Sequence, residues 1–398
     1  MKPNHCIELE EKYGAHNYHP LDVVIHKAKG VWVYDVTGRK YLDCLSAYSA
    51  LNQGHCHPKI LKMLVGQARR LTLTSRAFRN DQLPNFYKAL YDLTGYEMSL
   101  PMNSGAEAVE TAIKAARKWA YKVKGVPEHL AEIVCCTGNF HGRTTTVVSF
   151  STDAQYREGF GPFTPGFRIV RYGDIDDLKK NISSNTAAFL VEPIQGEAGI
   201  VVPPEGYLRE AAQVCKDNNV LLIADEIQTG LGRCGKLFAF EYEGIKPDAV
   251  IIGKALGGGF YPVSAVLSTK EVLGVFKPGD HGSTFGGNPL AAAVAVASLD
   301  VIVNEKLVKR SYDLGEYFMT KLRAIKSPHI KQIRGRGLLI GVVLDTQARP
   351  YCEALAAKGV LCKETHETVI RFAPPLVITK KEIDWVCSKI KETANELV

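Results

Sequence analysis

The stretch that decides the fold is VLLIAD at residues 220–225, in which five apolar residues precede one aspartate. Two similar runs lie on either side of it, AFLV at 188–191 and AVII at 249–252. Short runs that are apolar on both faces are typical of the buried strands of a parallel sheet. A helical stretch at 207–217 separates the first two runs, as a strand–helix–strand unit requires. The pattern predicts an α/β fold with a mostly parallel central sheet flanked by helices.

The same kind of pattern extends in both directions. Residues 105–123 form an apolar helical face that begins with the capping box of Ser104 and Glu107. Towards the carboxyl end, 338–345 and 369–372 are predicted strands, and a last helix follows Thr379. We therefore expect a large domain at 58–295 and a smaller α/β domain assembled from residues 1–57 and 296–398.

Composition excludes several classes of protein. The chain has 398 residues, 46% of them hydrophobic, and a net charge of +7. No run of apolar residues reaches the roughly 20 that span a bilayer, and the basic residues form no stripe with interleaved aromatics that would indicate nucleic-acid binding. The ten cysteines are scattered and no signal-peptide core precedes them, so we expect a reducing, cytoplasmic location. The positive charge fits small anionic substrates equally well.

Two polar residues stand at the carboxyl ends of predicted strands, where open α/β sheets bind their ligands. Asp225 ends the run 220–224, and Lys254 follows the run 249–252. A single lysine at such a position is usually only a solvated strand end. Together with an aspartate one strand earlier, however, it matches what pyridoxal phosphate needs: an amine that bonds to the cofactor and a carboxylate that holds its ring nitrogen.

A phosphate group would need a site of its own, and the sequence offers two. Ser104, Gly105 and Ala106 open the strongest helix, whose first backbone N–H groups could bind phosphate. The alternative is an ordinary helix cap. The segment HGSTFGGN at 281–288 places hydroxyl groups on a glycine-rich loop. It is either a second phosphate contact or a flexible turn.

Two other motifs suggest different chemistry. The segment GLGRCG at 230–235 matches the dinucleotide-binding pattern, but no helix follows it as that site requires. The segment HCH at 55–57 could ligate a metal, but no second pair of ligands stands at a suitable spacing. We expect both segments to be structural turns and no metal to be bound.

Longer motifs resemble those of the class III pyridoxal-phosphate-dependent aminotransferases, whose fold is that of type I pyridoxal enzymes. The resemblance covers almost the whole chain. The segments that carry it are YGAHNYHP at 13–20, LSAYSA at 45–50, NFHGRT at 139–144, EPIQGEAG at 192–199, DEIQTG at 225–230, GKAL at 253–256, 281–289 and IRFAPP at 370–375. The two tyrosine-bearing segments near the N-terminus resemble those of members that act on ornithine.

The resemblance implies a pyridoxal 5'-phosphate cofactor and two catalytic residues, Lys254 and Asp225. Lys254 would hold the cofactor and move the proton at the substrate carbon, while Phe140 would stack on the cofactor ring. Thr284 would contact the phosphate of a neighbouring subunit, so that a homodimer would share its active sites. The cofactor-binding residues implied are Ser104, Gly105, Ala106, Phe140, Asp225, Gln228, Lys254, Ser283 and Thr284.

The implied reaction is transfer of the δ-amino group of ornithine to 2-oxoglutarate by a ping-pong mechanism. Tyr18 and Arg143 would hold the α-carboxylate of ornithine far from the cofactor, and Tyr48 would shape the same pocket. Glu197 would neutralise Arg371 in the first half-reaction and release it when 2-oxoglutarate arrives. The substrate-binding residues implied are Tyr18, Tyr48, Arg143, Glu197 and Arg371.

Other functions remain open at this stage. Family members that use acetylornithine or 4-aminobutyrate are the main alternative, and the tyrosine pair argues against them. An aminomutase on the same fold would need no keto acid. A nicotinamide oxidoreductase would rest only on the glycine pattern at 230–235, and a non-catalytic binding protein would not need the lysine and aspartate.

Overall fold

The protein is described here by a computed structural model of residues 3–397. The N-terminal segment begins with the helix Pro3–Tyr13, in which no residue is buried. Three antiparallel strands follow: β1 Ile25–Lys29, β2 Trp32–Asp35 and β3 Lys40–Asp43. Gly38 lies in the turn between β2 and β3 with a φ of 88°, a left-handed conformation that suits glycine.

A seven-stranded sheet forms the centre of the molecule. Its strands in chain order are β4 Met98–Met102, β5 Glu132–Cys136, β6 Phe167–Val170, β7 Thr186–Val191, β8 Leu221–Asp225, β9 Ala249–Ile252 and β10 Ser264–Ser268. In space they are arranged β4-β10-β9-β8-β7-β5-β6. The last five in that order run parallel, while β10 is antiparallel to both of its neighbours. The predicted α/β fold with a mostly parallel central sheet is therefore confirmed.

Helices cover both faces of this sheet because successive strand residues point to opposite sides. Leu190 of β7 packs in a core with the helix Gly105–Trp119. Its neighbour Phe189 packs in a second core with the helix Tyr207–Asp217. The remaining α-helices are Pro58–Ala68, Leu83–Thr94, Thr145–Ser149, Ala154–Arg157, Ile175–Asn181, Lys270–Leu273, Pro289–Asn304, Leu307–Arg323, Arg349–Ala357 and Lys380–Glu396.

The carboxyl-terminal part forms a four-stranded antiparallel sheet, ordered β11-β12-β15-β14. Its four strands are β11 Ile330–Arg336, β12 Leu339–Leu344, β14 Lys363–Thr365 and β15 Val369–Phe372. The short strand β13 Val360–Leu361 belongs to the N-terminal sheet instead, where it pairs in parallel with β3 and joins Val360 to Leu42. The two ends of the chain thus share one sheet. The capping box predicted at Ser104 is present, and the helix Lys380–Glu396 begins with a second one at Thr379.

Single segments depart from the regular pattern. The helix Gly105–Trp119 continues through Ala120–Lys124 as a π-helical turn. Short 3₁₀ turns lie at Ala239–Glu243 and Lys254–Gly257. Between residues 3 and 397, no helix combines the length and the apolar character needed to cross a lipid bilayer.

Candidate active site

Asp225 and Lys254 lie at the carboxyl ends of two adjacent parallel strands. Asp225 is the last residue of β8, and Lys254 follows β9 at the start of a 3₁₀ turn with φ at 45°. Both residues line one cavity of about 200 Å³. The structure therefore brings together the lysine and the carboxylate that the strand-end argument singled out.

The carboxylate of Asp225 is buried and fixed from two sides. Its Oδ1 accepts the N–H of Ile227 at 3.0 Å, and Oδ2 lies 2.7 Å from Nδ1 of His141. Burial alone would lower the pKa of His141, but the hydrogen bond and charge of Asp225 raise it above the ordinary value. The other ring nitrogen, Nε2 of His141, is buried without a hydrogen-bond partner.

The amine of Lys254 is easier to deprotonate than an ordinary lysine. Burial is the main reason that its pKa falls to about 8, and the charge of Arg371 lowers it further. Glu197 and Asp225 act in the opposite direction but do not restore the usual value. A neutral amine near pH 8 is the form that can attack a carbonyl group.

The helix Gly105–Trp119 directs its first turn at the same cavity, which Gly105 and Ala106 line. The first N–H groups of a helix have no acceptor within it. The side chain of Ser104 accepts only the backbone N–H of Glu107. The backbone N–H groups of Gly105 and Ala106 therefore remain available to an anion. Backbone packing here is close, because a Cβ on Gly142 would lie 2.9 Å from Cβ of Ala106.

Phe140 and Glu192 form the wall of the cavity beside Asp225. The N–H of Phe140 donates to Oε2 of Glu192 at 3.0 Å. Burial raises the pKa of Glu192 to about 7, against the opposing charge of His141. Neither Glu192 nor His141 was among the predicted site residues. Glu192 directly follows β7, so the rule that located Asp225 at its strand end could also have found it.

Glu197, Gln228 and Arg371 form a closed triangle of hydrogen bonds. Nη1 of Arg371 donates to Oε1 of Glu197 at 3.0 Å, and Nη2 donates to Oε1 of Gln228 at 2.7 Å. Nε2 of Gln228 donates to Glu197 at 2.9 Å. Burial alone would raise the pKa of Glu197, but the charges of Arg371 and Lys254 hold it below the ordinary value. Glu197 is therefore ionised and neutralises Arg371.

Tyr48 reaches the triangle from a strained segment. Residues Ser46–Ser49 all have φ between 46° and 74°, a left-handed turn that costs roughly 1–2 kcal/mol per residue. Oδ1 of Asp43 holds its start by accepting the N–H groups of Leu45 and Ser46. The guanidinium of Arg371 lies 5.2 Å from the ring centre of Tyr48. Strain of this kind is typical of functional sites.

Arg143 and Tyr18 lie at the outer side of the site. Arg143 is exposed, and its guanidinium lies 5.7 Å from the ring centre of Phe140. Tyr18 is 76% exposed and does not line the cavity of Lys254. The predicted substrate residues therefore divide into a buried group around Arg371 and an exposed group around Arg143.

Ser104, Ser283 and Thr284 do not line the cavity that Asp225 and Phe140 share with Lys254. Ser104 lines a neighbouring cavity that also includes Lys254. Ser283 and Thr284 line a third one with Arg76, although Ser283 Oγ accepts a hydrogen bond from Asn103 at 2.9 Å. Within one chain, the two hydroxyl residues of the 281–288 loop are thus not brought to the lysine.

The two motifs set aside from the sequence have structural partners. His55 lies 2.8 Å from a carboxylate oxygen of Asp43, and His57 lies 3.2 Å from one of Glu305. Arg233, in the middle of the glycine-rich segment 230–235, is fully buried and donates to the carbonyl oxygens of Leu338 and Pro374. That segment therefore joins the central sheet to the carboxyl-terminal part of the chain.

The cavity fits pyridoxal phosphate on several grounds. It offers an amine, a buried carboxylate, an aromatic side chain and a helix N-terminus on different sides of one space. A Cβ on Gly196 would lie 2.3 Å from Oε1 of Gln228, so glycine is required there for Gln228 to lie at the cavity wall. A flat ring with an aldehyde, a pyridine nitrogen and a phosphate has a complementary partner for each group.

Residues 13–394 match the family model of the class-III aminotransferases. The chain belongs to this family. Class-III aminotransferases are pyridoxal-phosphate-dependent transaminases, which agrees with the cavity around Lys254.

Individual relatives of this class-III aminotransferase are similar over their full length. The ornithine aminotransferase of Brevibacillus brevis is 65% identical over 99% of both chains. An ornithine aminotransferase structure from Toxoplasma gondii, described with partial occupancy of PLP at its active site, is 46% identical with a TM-score of 0.98, over 99% of this chain and 94% of that one. An acetylornithine aminotransferase structure from Elizabethkingia anophelis is 48% identical with a TM-score of 0.91, over 100% of both chains.

Proposed function

We propose that this aminotransferase transfers the δ-amino group of L-ornithine to 2-oxoglutarate and produces glutamate 5-semialdehyde and glutamate in two half-reactions. The observation that carries the proposal is the unequal state of two arginines. Arg371 is neutralised by Glu197, whereas Arg143 is exposed. A donor with one carboxylate would therefore bind Arg143 and present its distant amine to Lys254. The similarity to the Brevibacillus enzyme supports the same substrate.

The cofactor residues have distinct tasks in this proposal. Bound pyridoxal phosphate supplies a conjugated ring that accepts the electrons released at the substrate carbon. Lys254 would hold the cofactor and then carry the proton to and from that carbon. Asp225, which His141 fixes, would keep a proton on the ring nitrogen. Phe140 would cover one face of the ring.

The remaining cofactor contacts serve the phosphate and the outer edge of the ring. Gly105 and Ala106 offer their N–H groups to the phosphate, with Ser104 at the same helix start. Gln228 lines the cavity and accepts a hydrogen bond from Arg371, so it would contact the cofactor on the side of that arginine. Ser283 and Thr284 would complete the phosphate site of a neighbouring subunit, which makes a homodimer part of the proposal.

Substrate recognition uses both arginines in turn. Tyr18 and Tyr48 shape the pocket in which Arg143 binds the α-carboxylate of ornithine. In the second half-reaction Glu197 moves away from Arg371. The two carboxylates of 2-oxoglutarate then bind Arg371 and Arg143, since a guanidinium binds a carboxylate through two parallel hydrogen bonds.

The domain division and the location expected from the sequence are also part of the proposal. We propose a large domain at 58–295 and a smaller one from residues 1–57 and 296–398, which is supported by the pairing of β3 with β13. The cut at 295 falls inside the helix Pro289–Asn304. A cytoplasmic location is supported by ten cysteines that are all free thiols.

An amino-donor screen tests the function. The holoenzyme is mixed with ornithine, N-acetylornithine or 4-aminobutyrate without keto acid, and the loss of the cofactor's absorbance is followed. We expect ornithine to react fastest, and a preference for N-acetylornithine would overturn the proposal. The second donor is included because a solved acetylornithine aminotransferase is also similar over the whole chain.

A further inference from the structure

The guanidinium of Arg143 is held by aromatic rings instead of acidic side chains. Its Cζ lies 4.0 Å from the ring centre of Tyr156 and 5.7 Å from that of Phe140. Among residues 3–397, no carboxylate lies within salt-bridge distance of Arg143. A ring attracts the face of a guanidinium and leaves its N–H groups, which lie in the plane, free for another partner.

Tyr156 connects this arginine to the cofactor cavity. Its ring meets that of Phe140 edge to face, with centres 5.9 Å apart and planes at 73°, a favoured geometry for aromatic pairs. Burial raises the pKa of Tyr156 although the charge of Arg143 opposes it, and Glu197 and Tyr18 are near enough to raise it further. The phenol therefore stays neutral and lies among the substrate residues.

The segment that carries Tyr156 is well fixed. Asp153 caps the short helix Ala154–Arg157 by accepting the N–H of Gln155 at 2.9 Å. Arg157 donates to the carbonyl oxygens of Ser149 and Ser151 at 2.8 and 3.0 Å. The backbone that carries Tyr156 is thus fixed by contacts within the chain.

We propose that Tyr156 is a positioning residue that orients Arg143 towards the carboxylate lying farthest from the reacting carbon. The proposal rests on the function proposed above and extends it, because both ornithine and 2-oxoglutarate present such a carboxylate. A carboxylate in place of the ring would occupy the N–H groups of Arg143 and compete with substrate. The aromatic partner fixes the orientation of the guanidinium without occupying them.

The experiment compares Tyr156→Phe, which keeps the ring, with Tyr156→Leu and Tyr156→Met, which remove it. Each holoenzyme is loaded with its amino group by ornithine and then reacted with 2-oxoglutarate or with pyruvate, which has no distal carboxylate. Without the ring, we expect the apparent KM for ornithine and 2-oxoglutarate to rise roughly three- to thirtyfold, with kcat changed little. The KM for pyruvate should stay within about twofold, as should all constants of Tyr156→Phe.

A matched control removes a similar contact in another part of the chain. The guanidinium of Arg336 lies 5.1 Å from the ring centre of Tyr242, and Tyr242 does not line the cofactor cavity. Tyr242→Leu should leave the KM for both keto acids unchanged. Two ring-free variants are used so that a folding defect in one of them does not decide the result. The absorbance of bound cofactor shows whether each variant is folded.

Several outcomes would overturn the role of Tyr156. These are an unchanged KM for 2-oxoglutarate in both ring-free variants, an equal rise for pyruvate, or a loss of kcat alone. Failure of the proposed function would look different, because the wild-type protein would then reject ornithine and accept another donor. The comparison of 2-oxoglutarate with pyruvate would still test Tyr156 in that case.

Discussion

The two arginines of the site are held in opposite ways. Arg371 lies in β15 at 1% exposure, hydrogen-bonded to Glu197 and Gln228 and close to the ring of Tyr48. Arg143 is itself exposed, and the ring of Tyr156 lies beside it. A buried charge needs a counter-charge, since desolvation is costly, whereas an exposed one does not. Arg371 can therefore bind another carboxylate only if Glu197 moves, whereas no carboxylate among residues 3–397 is paired with Arg143.

Under the proposed function, this contrast would let one site distinguish the two ends of a diamine. A substrate with a single carboxylate would find only Arg143 free, so that its far amine would reach Lys254. A dicarboxylate would displace Glu197, because its second carboxylate would replace the counter-charge beside Arg371. Substitutions of Arg371, Arg143 and Glu197 test whether the two arginines have these different tasks.

The largest effect should come from Arg371→Gln. The variant removes a buried charge pair and the proposed α-carboxylate site, so we expect the 2-oxoglutarate half-reaction to slow by roughly thirty- to several-thousandfold. The ornithine half-reaction should slow much less. Stopped-flow absorbance of each half-reaction measures both rates.

Arg336→Gln is a matched control, because Arg336 is an exposed arginine at the end of β11. It should leave both half-reactions unchanged. Equal slowing of the two half-reactions in Arg371→Gln, with cofactor still bound, would contradict the division of tasks.

Arg143→Gln should affect both substrates alike. We expect kcat/KM for ornithine and for 2-oxoglutarate to fall by about ten- to a hundredfold each, which is the usual value of hydrogen bonds to a charged group. Steady-state kinetics with each substrate varied in turn provides the values. An effect confined to one of the substrates would show that Arg143 does not serve both.

Glu197→Gln should make the two arginines more alike. Without the counter-charge, Arg371 would be free to bind an α-carboxylate at rest, and we expect the KM for L-glutamate in the reverse reaction to fall by roughly fivefold. Glu205→Gln, at an exposed glutamate, is the control. A raised KM for glutamate in Glu197→Gln would argue that Glu197 does not block Arg371.

The smallest expected effect is on the pH dependence of pyridoxal-phosphate uptake by the apoenzyme. The pKa of Lys254 is lowered to about 8 by burial and by Arg371, so its amine is protonated below that pH and neutral above it. The rate at which apoenzyme takes up pyridoxal phosphate should therefore rise with pH through about 8. Arg371→Gln should move this midpoint to higher pH and Arg143→Gln should leave it unchanged; the opposite pattern would contradict the assigned electrostatics.

Much of the scaffold could be predicted from local patterns. The runs at 220–225 and 249–254 gave both strands and the polar residues at their ends, because burial on both faces leaves a clear apolar signal. The capping box at Ser104 gave the start of its helix in the same way. The antiparallel direction of β10 could not be predicted in this way, because the apolar pattern of a buried strand is the same whichever direction the strand runs.

The parts of the site that were missed depend on tertiary contacts. His141 acts through Asp225, which lies far away in the sequence, and Tyr156 acts through the ring stacked on Arg143. The left-handed turn at Ser46–Ser49 could not be predicted, because it contains no glycine, the residue that usually adopts this conformation. The roles of Ser283 and Thr284 stay predictions that require a second subunit.

Because Arg143 is exposed and would bind the α-carboxylate of ornithine, the δ-amine should be the group that reaches Lys254. An isotope experiment follows which nitrogen is transferred. Wild-type holoenzyme is given ornithine labelled with ¹⁵N at the δ-position together with 2-oxoglutarate, and the glutamate formed is analysed by mass spectrometry. If the δ-amino group is transferred, the glutamate will carry the label. Unlabelled glutamate, with the ¹⁵N retained in the keto-acid product, would contradict the transfer of that group.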